Sequence, residues 1–423
     1  DVTLSTLWKS KDPNIIKSLS VDDSNPFSMS DSAGFIKGVA SGTTTIKATL
    51  RIIPGDSTGE LTAEFPVSVY SSAPIQVGQW PRQILISPDG KFLLVVNYES
   101  NTVSLIEVND SLAVKYDAIP VGKLPMEAVI TSDSKKALVV NYSSHNVTLV
   151  DLSIGDSLES VFLGQSYHPS NIAMTSDDAK AYVTSDNSGT QNDTLSVIDL
   201  TKTPLEIIEK IRVPNAPSDI VICEDVGKAY ITSSSVDTVV VVDIENDTLL
   251  ARINAPPATR AIKIPNSNYI IAIYSFLFPT LPMSIIDMEE DKVIRKIPVG
   301  EMPIDVAFLS DGSLAYVLHN NSENITILDV NSLSIKGSIE NPSNSTFIDS
   351  RCICATPDGS ELYVSNHWDS DNNITIIDVE KNVTRGKIPT ESGPSQMVIL
   401  PGGGTLCVIN DRSHNLQSFV IMD

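Results

Sequence analysis

The segment Gln83–Tyr98, QILISPDGKFLLVVNY, constrains the fold more than any other stretch of the chain. A short apolar run, a Pro-Asp-Gly turn and a second alternating apolar run read as a β-hairpin. The pattern returns as EAVITSDSKKALVVNY from Glu127, NIAMTSDDAKAYVTSD from Asn171, DIVICEDVGKAYITSS from Asp219 and AIKIPNSNYIIAIYS from Ala261. It continues as DVAFLSDGSLAYVLHN from Asp305, CICATPDGSELYVSNH from Cys352 and QMVILPGGGTLCVIND from Gln396. Eight copies about 45 residues apart require a repeat architecture.

Each hairpin is followed by a third strand that usually carries an acidic residue near its end, as in NVTLVDL (Asn146–Leu152), LSVIDL (Leu195–Leu200) and ITIIDV (Ile374–Val379). A fourth strand then runs to a Gly or Pro, as in IPVG (Ile119–Gly122). Four strands per repeat make a propeller blade, and inner strands that are apolar on both faces suit sheets packed between two neighbours. The last three-strand set, ending at Met422, has no fourth strand behind it, whereas IQVG (Ile75–Gly78) stands unclaimed before the first. Pairing the two closes a ring of eight blades and removes an open edge. The fifth hairpin, built on Ile264–Asn268, is the most degenerate, so seven blades is the alternative. The expected fold is therefore all-β, an eight-bladed β-propeller over residues 73–423.

These repeats resemble the YVTN β-propeller repeat, in which a Ser-Pro-Asp-Gly turn precedes a Tyr-Val-Thr-Asn-like strand and a Val-Ser-Val-Ile-Asp strand. Ser87–Val108 and Thr356–His367 come nearest to it. Residues 1–72 lack the repeat and carry their own alternation in Gly34–Leu50 and Glu60–Tyr70. With Trp8, Lys9–Pro13, glycines at 34, 38 and 42, and Val67–Val69, this segment resembles the bacterial Ig-like domain, group 2. The strands that normally precede the tryptophan are missing, which implies an incomplete sandwich. Either upstream sequence of a longer precursor or a strand from a neighbouring molecule would complete it.

A formal net charge of −23 and no basic patch argue against nucleic acid and anionic lipid as partners. The longest apolar stretch, around Tyr269–Phe278, is far short of the roughly 18–20 residues that span a bilayer. The four cysteines show no metal- or haem-attachment spacing. Cys354 and Cys407 fall on adjacent strands of neighbouring blades, where a disulfide would hold the closing seam or two thiols would lie buried.

Candidate sites are scattered. His145, His168, His319, His367 and His414 all fall on loops of one face, suggesting a metal or pH-sensitive rim, or a merely solvated one. The loop His367–Asn373 offers Asp369 and Asp371 as oxygen ligands for Ca²⁺, without the EF-hand spacing. Gln83, Glu127, Asn171, Asp219, Asp305 and Gln396, with Ala261 and Cys352 in the other two blades, open the first strands. They are expected at the mouth of the axial channel, as a binding ring or as the lining any wet tunnel needs. Asn-x-Ser/Thr sequons stand at Asn109, Asn141, Asn146, Asn192, Asn246, Asn320, Asn324, Asn344, Asn373 and Asn382, candidates for N-linked glycans. In the fifth blade Tyr274, Phe276, Leu277, Phe278 and Leu281 form a loop too apolar for a solvated turn, a candidate assembly contact.

No haem motif, histidine ring or nucleophile elbow marks an enzyme or calls for a cofactor. The surface-layer associations of both resembled families, together with the sequons, lead to the expectation of an exported, non-enzymatic cell-surface subunit. It would self-assemble into a layer, sheath or filament through the Ig-like segment and the 274–282 loop. The alternative is an extracellular or periplasmic propeller enzyme or ligand sensor, lactonase-like or quinoprotein-like, working at the channel mouth.

Overall fold

The computed structural model describes residues 5–10, 42–52, 59–69, 73–109, 112–187, 193–275, 281–320, 322, 324–340, 350–367 and 372–421. Two compact units divide the chain, one of Asp1–Ile75 with Ile399–Cys407 and Leu416–Asp423, the other of Gln76–Val398 with Val408–Asn415.

In the first unit Ser5–Ser10, Gly42–Ile52 and Gly59–Val69 form a three-stranded antiparallel sheet in chain order. Its register runs from Ser5 opposite Arg51 to Gly42 opposite Val69. Most of the segment carrying the Ig-like resemblance, residues 11–41, lies outside the described residues, and the three strands alone give the expected sandwich no support.

The other strands form a propeller of eight four-stranded antiparallel sheets, with strands in chain order in seven of them. The first blade holds Pro81–Ile86, Phe92–Asn97, Thr102–Val108 and Leu112–Pro120. The fifth, whose turn is the least regular in sequence, is complete, with Arg260–Lys263, Tyr269–Ile273, Met283–Asp287 and Lys292–Ile297. That excludes the seven-blade alternative. In the eighth blade Pro394–Ile399, Thr405–Asn410 and Asn415–Val420 are joined by Ile75–Gln76 as fourth strand, as the unclaimed IQVG segment requires.

Turn chemistry explains why the hairpins form where they do. In the first blade Asp89 Oδ1 accepts from Ser87 Oγ at 2.7 Å and from the Lys91 N–H at 3.1 Å, and Gly90 follows at φ 72°. Asp133 with Ser134 (φ 61°) and Asp177 with Asp178 (φ 56°) repeat the motif. The carboxylate mimics a turn hydrogen bond, and the next residue takes the left-handed conformation. Third strands end the same way. Asp151, Asp199, Asp243 and Asp287 each accept the N–H two residues on, at 2.8–2.9 Å, and steer the chain into the fourth strand. The recurring third-strand acid is therefore a turn device.

The core lies between blades. Leu94, Val96, Val103 and Leu105 of the first sheet pack on Ala128, Ala137, Val139 and Val150 of the second, all essentially inaccessible. Polar staples reinforce these contacts. Asp247, in the outer turn of the fourth blade, accepts from Tyr182 Oη of the third at 2.6 Å and pairs with Lys180 Nζ at 2.7 Å. Tyr230 and Lys228 grip Asp291 of the fifth blade identically. Asp247→Ala takes the carboxylate from a buried phenol and a mostly buried ammonium, leaving them only the Ile244 and Glu245 carbonyls, so urea unfolding should show a loss of about 2 kcal/mol. An unchanged midpoint would mean that water replaces the carboxylate without cost.

Candidate functional site

The first strands of neighbouring sheets run beside one another around the axis. Their opening residues form a ring in which one blade's side chain accepts a backbone N–H of the next. Gln83 Oε1 accepts from Ala128 at 2.7 Å, Glu127 Oε2 from Ile172 at 3.0 Å and Asp219 Oδ2 from Ala261 at 2.9 Å. Asp305 Oδ2 accepts from Ile353 at 3.0 Å, and Gln396 Oε1 reaches Ile84 of the first blade at 3.2 Å. Five of the six polar openers picked out in the sequence, all but Asn171, are thus acceptors that stitch first strands together.

Three arginines join this ring: Arg82, Arg260 and Arg351. Sequence reasoning passed over them because each stands one residue before the opener. In the first blade the ladder skips between Pro81 and Gln83, and in the seventh between Ser350 and Ile353. A β-bulge lifts the skipped residue out of the ladder and re-aims its side chain. The signal available in sequence was the recurrence of Arg at one repeat position in the first, fifth and seventh blades of so acidic a chain.

Arg260 Nη1 meets Asp305 Oδ1 at 2.5 Å, and Asp305 is only 8% exposed. Asp305 and then Asp219 hold the Arg260 guanidinium in its charged form against the cost of burial. Arg82 lies 5.9 Å from the centre of the Tyr98 ring and within electrostatic reach of Glu127 and Arg351. Crowding by protein atoms lowers the Arg82 pKa from its ordinary value.

Glu127 is the distinctive group. Removal from water, and then the repulsion of Asp219, push its carboxyl up to about 8, against the Ile172 N–H and the charges of Arg82 and Arg260. Burial also raises Asp219, opposed by the Ala261 N–H and Arg260. Two carboxyls close enough to repel, the first raised toward neutrality, stand within electrostatic reach of the Arg82 and Arg260 guanidinium groups, an arrangement suited to proton transfer beside an anion-stabilising charge. Cys352 borders it as a neutral thiol, its pKa raised by burial and then by Asp305.

A cleft of about 610 Å³ between the second and third blades lies apart from this centre. Its Asp178 is held by Ser132, and its Glu159 by the Leu205 N–H, so its acids serve the walls.

The remaining sequence candidates divide. Asp369, Asp371, Phe276, Leu277 and Phe278 lie outside the described residues, while Tyr274 and Leu281 are half-buried. Asn192 and Asn344 also lie outside, and Asn109, Asn246 and Asn382 are exposed. Asn141 and Asn373 are corrected as glycan sites: both are at most 2% exposed, Asn141 donating to Thr148 and Asn373 accepting from Asn366. All four cysteines are free, so no Cys354–Cys407 disulfide forms. Burial raises both thiols, Cys407 to about 12, and a neutral thiol is a poor partner for disulfide exchange. Nor do the histidines make one rim. His319 is buried and lowered to about 4, His367 Nε2 lies 2.8 Å from Asp411, and His414 accepts from the Trp80 N–H, leaving His145 and His168 as neighbours.

The architecture and the site together define a propeller with an axial-mouth centre. The family described as "Lactonase, 7-bladed beta-propeller" matches residues 69–114 and 287–422, less than half of the chain. No curated protein matches. Among solved structures, Kuenenia stuttgartiensis hydrazine synthase is similar at TM-score 0.56 and 17% identity, covering 81% of this chain and 96% of that one. Dihydro-heme d1 dehydrogenase NirN in complex with DHE is similar at TM-score 0.59 and 16% identity, covering 82% of this chain and 72% of that one. Likeness at such identity establishes the fold alone. The lactonase match corrects the expectation of a non-enzymatic surface subunit and favours the alternative reading, an enzyme or ligand-binding propeller.

Proposed function

We propose that this chain is an exported hydrolase that opens lactone rings at the mouth of its axial channel. The observation that carries the reading is Glu127 in the first-strand ring, where it accepts the Ile172 N–H at 3.0 Å within electrostatic reach of Asp219, Arg82 and Arg260, which together with burial leave its carboxyl raised to about 8. The lactonase match supports the class of reaction, and the acidic surface and exposed sequons support export.

Hydrolysis of a cyclic ester needs water made nucleophilic, an oxyanion stabilised and a leaving alkoxide protonated. Asp219 accepts a proton from water as its oxygen bonds to the carbonyl carbon. The guanidinium groups face the negative charge gathering on the carbonyl oxygen. As the ring C–O bond breaks, Glu127 gives its proton to the departing alkoxide. The product is a hydroxycarboxylic acid that releases its carboxyl proton to solvent, and the proton taken by Asp219 returns to Glu127 through solvent.

The test is pH-stat titration of acid release from a panel of γ- and δ-lactones. Saturable turnover that falls about 100-fold or more in Glu127→Gln is expected. No turnover of any lactone, or unchanged turnover in that variant, overturns the reading. The three guanidinium groups also suit capture of an anion without chemistry, and tight binding without hydrolysis would select that second reading.

A further inference from the structure

A repeated latch joins the loop before one blade's third strand to the start of the next blade. Asn101 Oδ1 accepts from the Leu124 N–H at 2.8 Å, Asp193 Oδ2 from Ala216 at 2.7 Å and Asn372 Oδ1 from Gly393 at 3.2 Å. His414 Nδ1 accepts from Trp80 at 3.1 Å. At the boundary between the second and third blades the bond runs the other way. His145 occupies the latch position with the same left-handed backbone, φ 55° against 60° at Asn101 and 54° at His414. Its Nδ1, however, faces the carbonyl oxygen of Tyr167 at 2.8 Å. A carbonyl only accepts, so Nδ1 carries the proton and Nε2 keeps its lone pair.

His168 is arranged in the same way. Its Nδ1 lies 3.4 Å from the Tyr142 carbonyl oxygen, and its ring stacks on that tyrosine at 4.6 Å. The two imidazoles stand edge to face with centroids 4.7 Å apart, each half-buried and open on one side. Asp186 is the cross-strand neighbour of His168 and adds an acidic flank.

We propose that His145 and His168 form a two-imidazole site for a divalent ion of borderline softness, Cu²⁺ or Zn²⁺, on the loop face between the second and third blades. Metal-ligating histidines characteristically donate their second nitrogen to a backbone carbonyl, which fixes the tautomer and aims the other lone pair. Both rings meet that condition, on facing segments of two neighbouring blades. Nitrogen donors of this kind select Cu²⁺ or Zn²⁺ over Ca²⁺. Among the described residues no third His, Cys, Asp or Glu completes a preformed set, so water occupies the remaining positions.

The experiment uses the full chain, free of affinity tags and stripped with chelator. Titration with Cu²⁺ followed by electron paramagnetic resonance should show one tight equivalent with hyperfine coupling to two nitrogens. Zn²⁺ should compete for it in calorimetry and raise the melting temperature. His145→Asn is the apt variant, because Asn holds this left-handed position in the first and seventh blades. It and His168→Gln should each weaken binding at least tenfold and abolish the thermal shift. A single-nitrogen spectrum, undiminished affinity in the double variant, or several equivalents spread over the acidic surface would overturn the site.

Discussion

Glu127→Gln is expected to lose lactone hydrolysis and yet resist unfolding better than the wild-type chain at pH 8.5. Both effects have one cause. In the folded protein the carboxyl is pushed up from its ordinary 4.5 to about 8 by removal from water and by Asp219. The folded state therefore keeps a proton that the unfolded chain gives up near its ordinary value. Unfolding releases that proton between roughly pH 4.5 and 8, so stability falls as pH rises through this window. The whole displacement would correspond to about 5 kcal/mol. Glu127 opens on the channel, and solvent screening reduces the expected gain to about 2 kcal/mol above pH 8. Glutamine still accepts the Ile172 N–H through Oε1 and carries no charge to bury. Urea midpoints of the two proteins should coincide near pH 4 and diverge by pH 8.5. A variant no more stable than wild type at pH 8.5 would show Glu127 already ionised there without strain, and its role as proton donor would fall with it.

Such an exchange of stability for chemistry explains what was legible in the sequence. Blade number and closure were readable because they depend on devices written locally: the Ser-x-Asp-Gly turn at Ser87–Gly90, the Asx turns at Asp151 and Asp243, and a spare strand at Ile75. Each turn residue there acts through its own neighbours in sequence, and the spare strand is marked by the set at the chain's end that lacks a fourth. The polar ring was legible too, since Gln83, Glu127, Asp219 and Asp305 recur in register. Its character was not. Whether Glu127 lines a tunnel or holds a proton depends on Asp219, two blades on, and on arginines from the first and fifth blades. No spacing rule connects those positions. The arginines were hidden for a second reason: bulges decide where Arg82 and Arg351 stand, and a bulge leaves no mark in a pattern of alternation. Sequons misled in the opposite sense. Asn141 meets the glycosylation pattern only because a repeat Asn that donates to Thr148 happens to precede Tyr142 and Ser143.

Arg260→Ala should destabilise the chain by about 2 kcal/mol at neutral pH, less than the 3–5 kcal/mol typical of breaking a fully buried pair because the guanidinium is nearly half exposed. The loss falls on its partner. Asp305 would keep the Ile353 N–H on one oxygen and its own Val306 N–H on the other, at 3.0 and 2.9 Å, with the balancing charge gone. Asparagine at 305 preserves an acceptor for the ring and removes the unpaired charge. The Arg260→Ala/Asp305→Asn double variant should therefore recover most of the lost stability, giving a coupling of about 1–2 kcal/mol in a double-mutant cycle. Turnover should not recover with it. If Arg260 faces the oxyanion, the restored fold still lacks the positive charge the reaction needs, and kcat stays depressed while the urea midpoint returns. If activity returns together with stability, Arg260 serves only to neutralise Asp305, and the stabilising wall of the site reduces to Arg82 and Arg351.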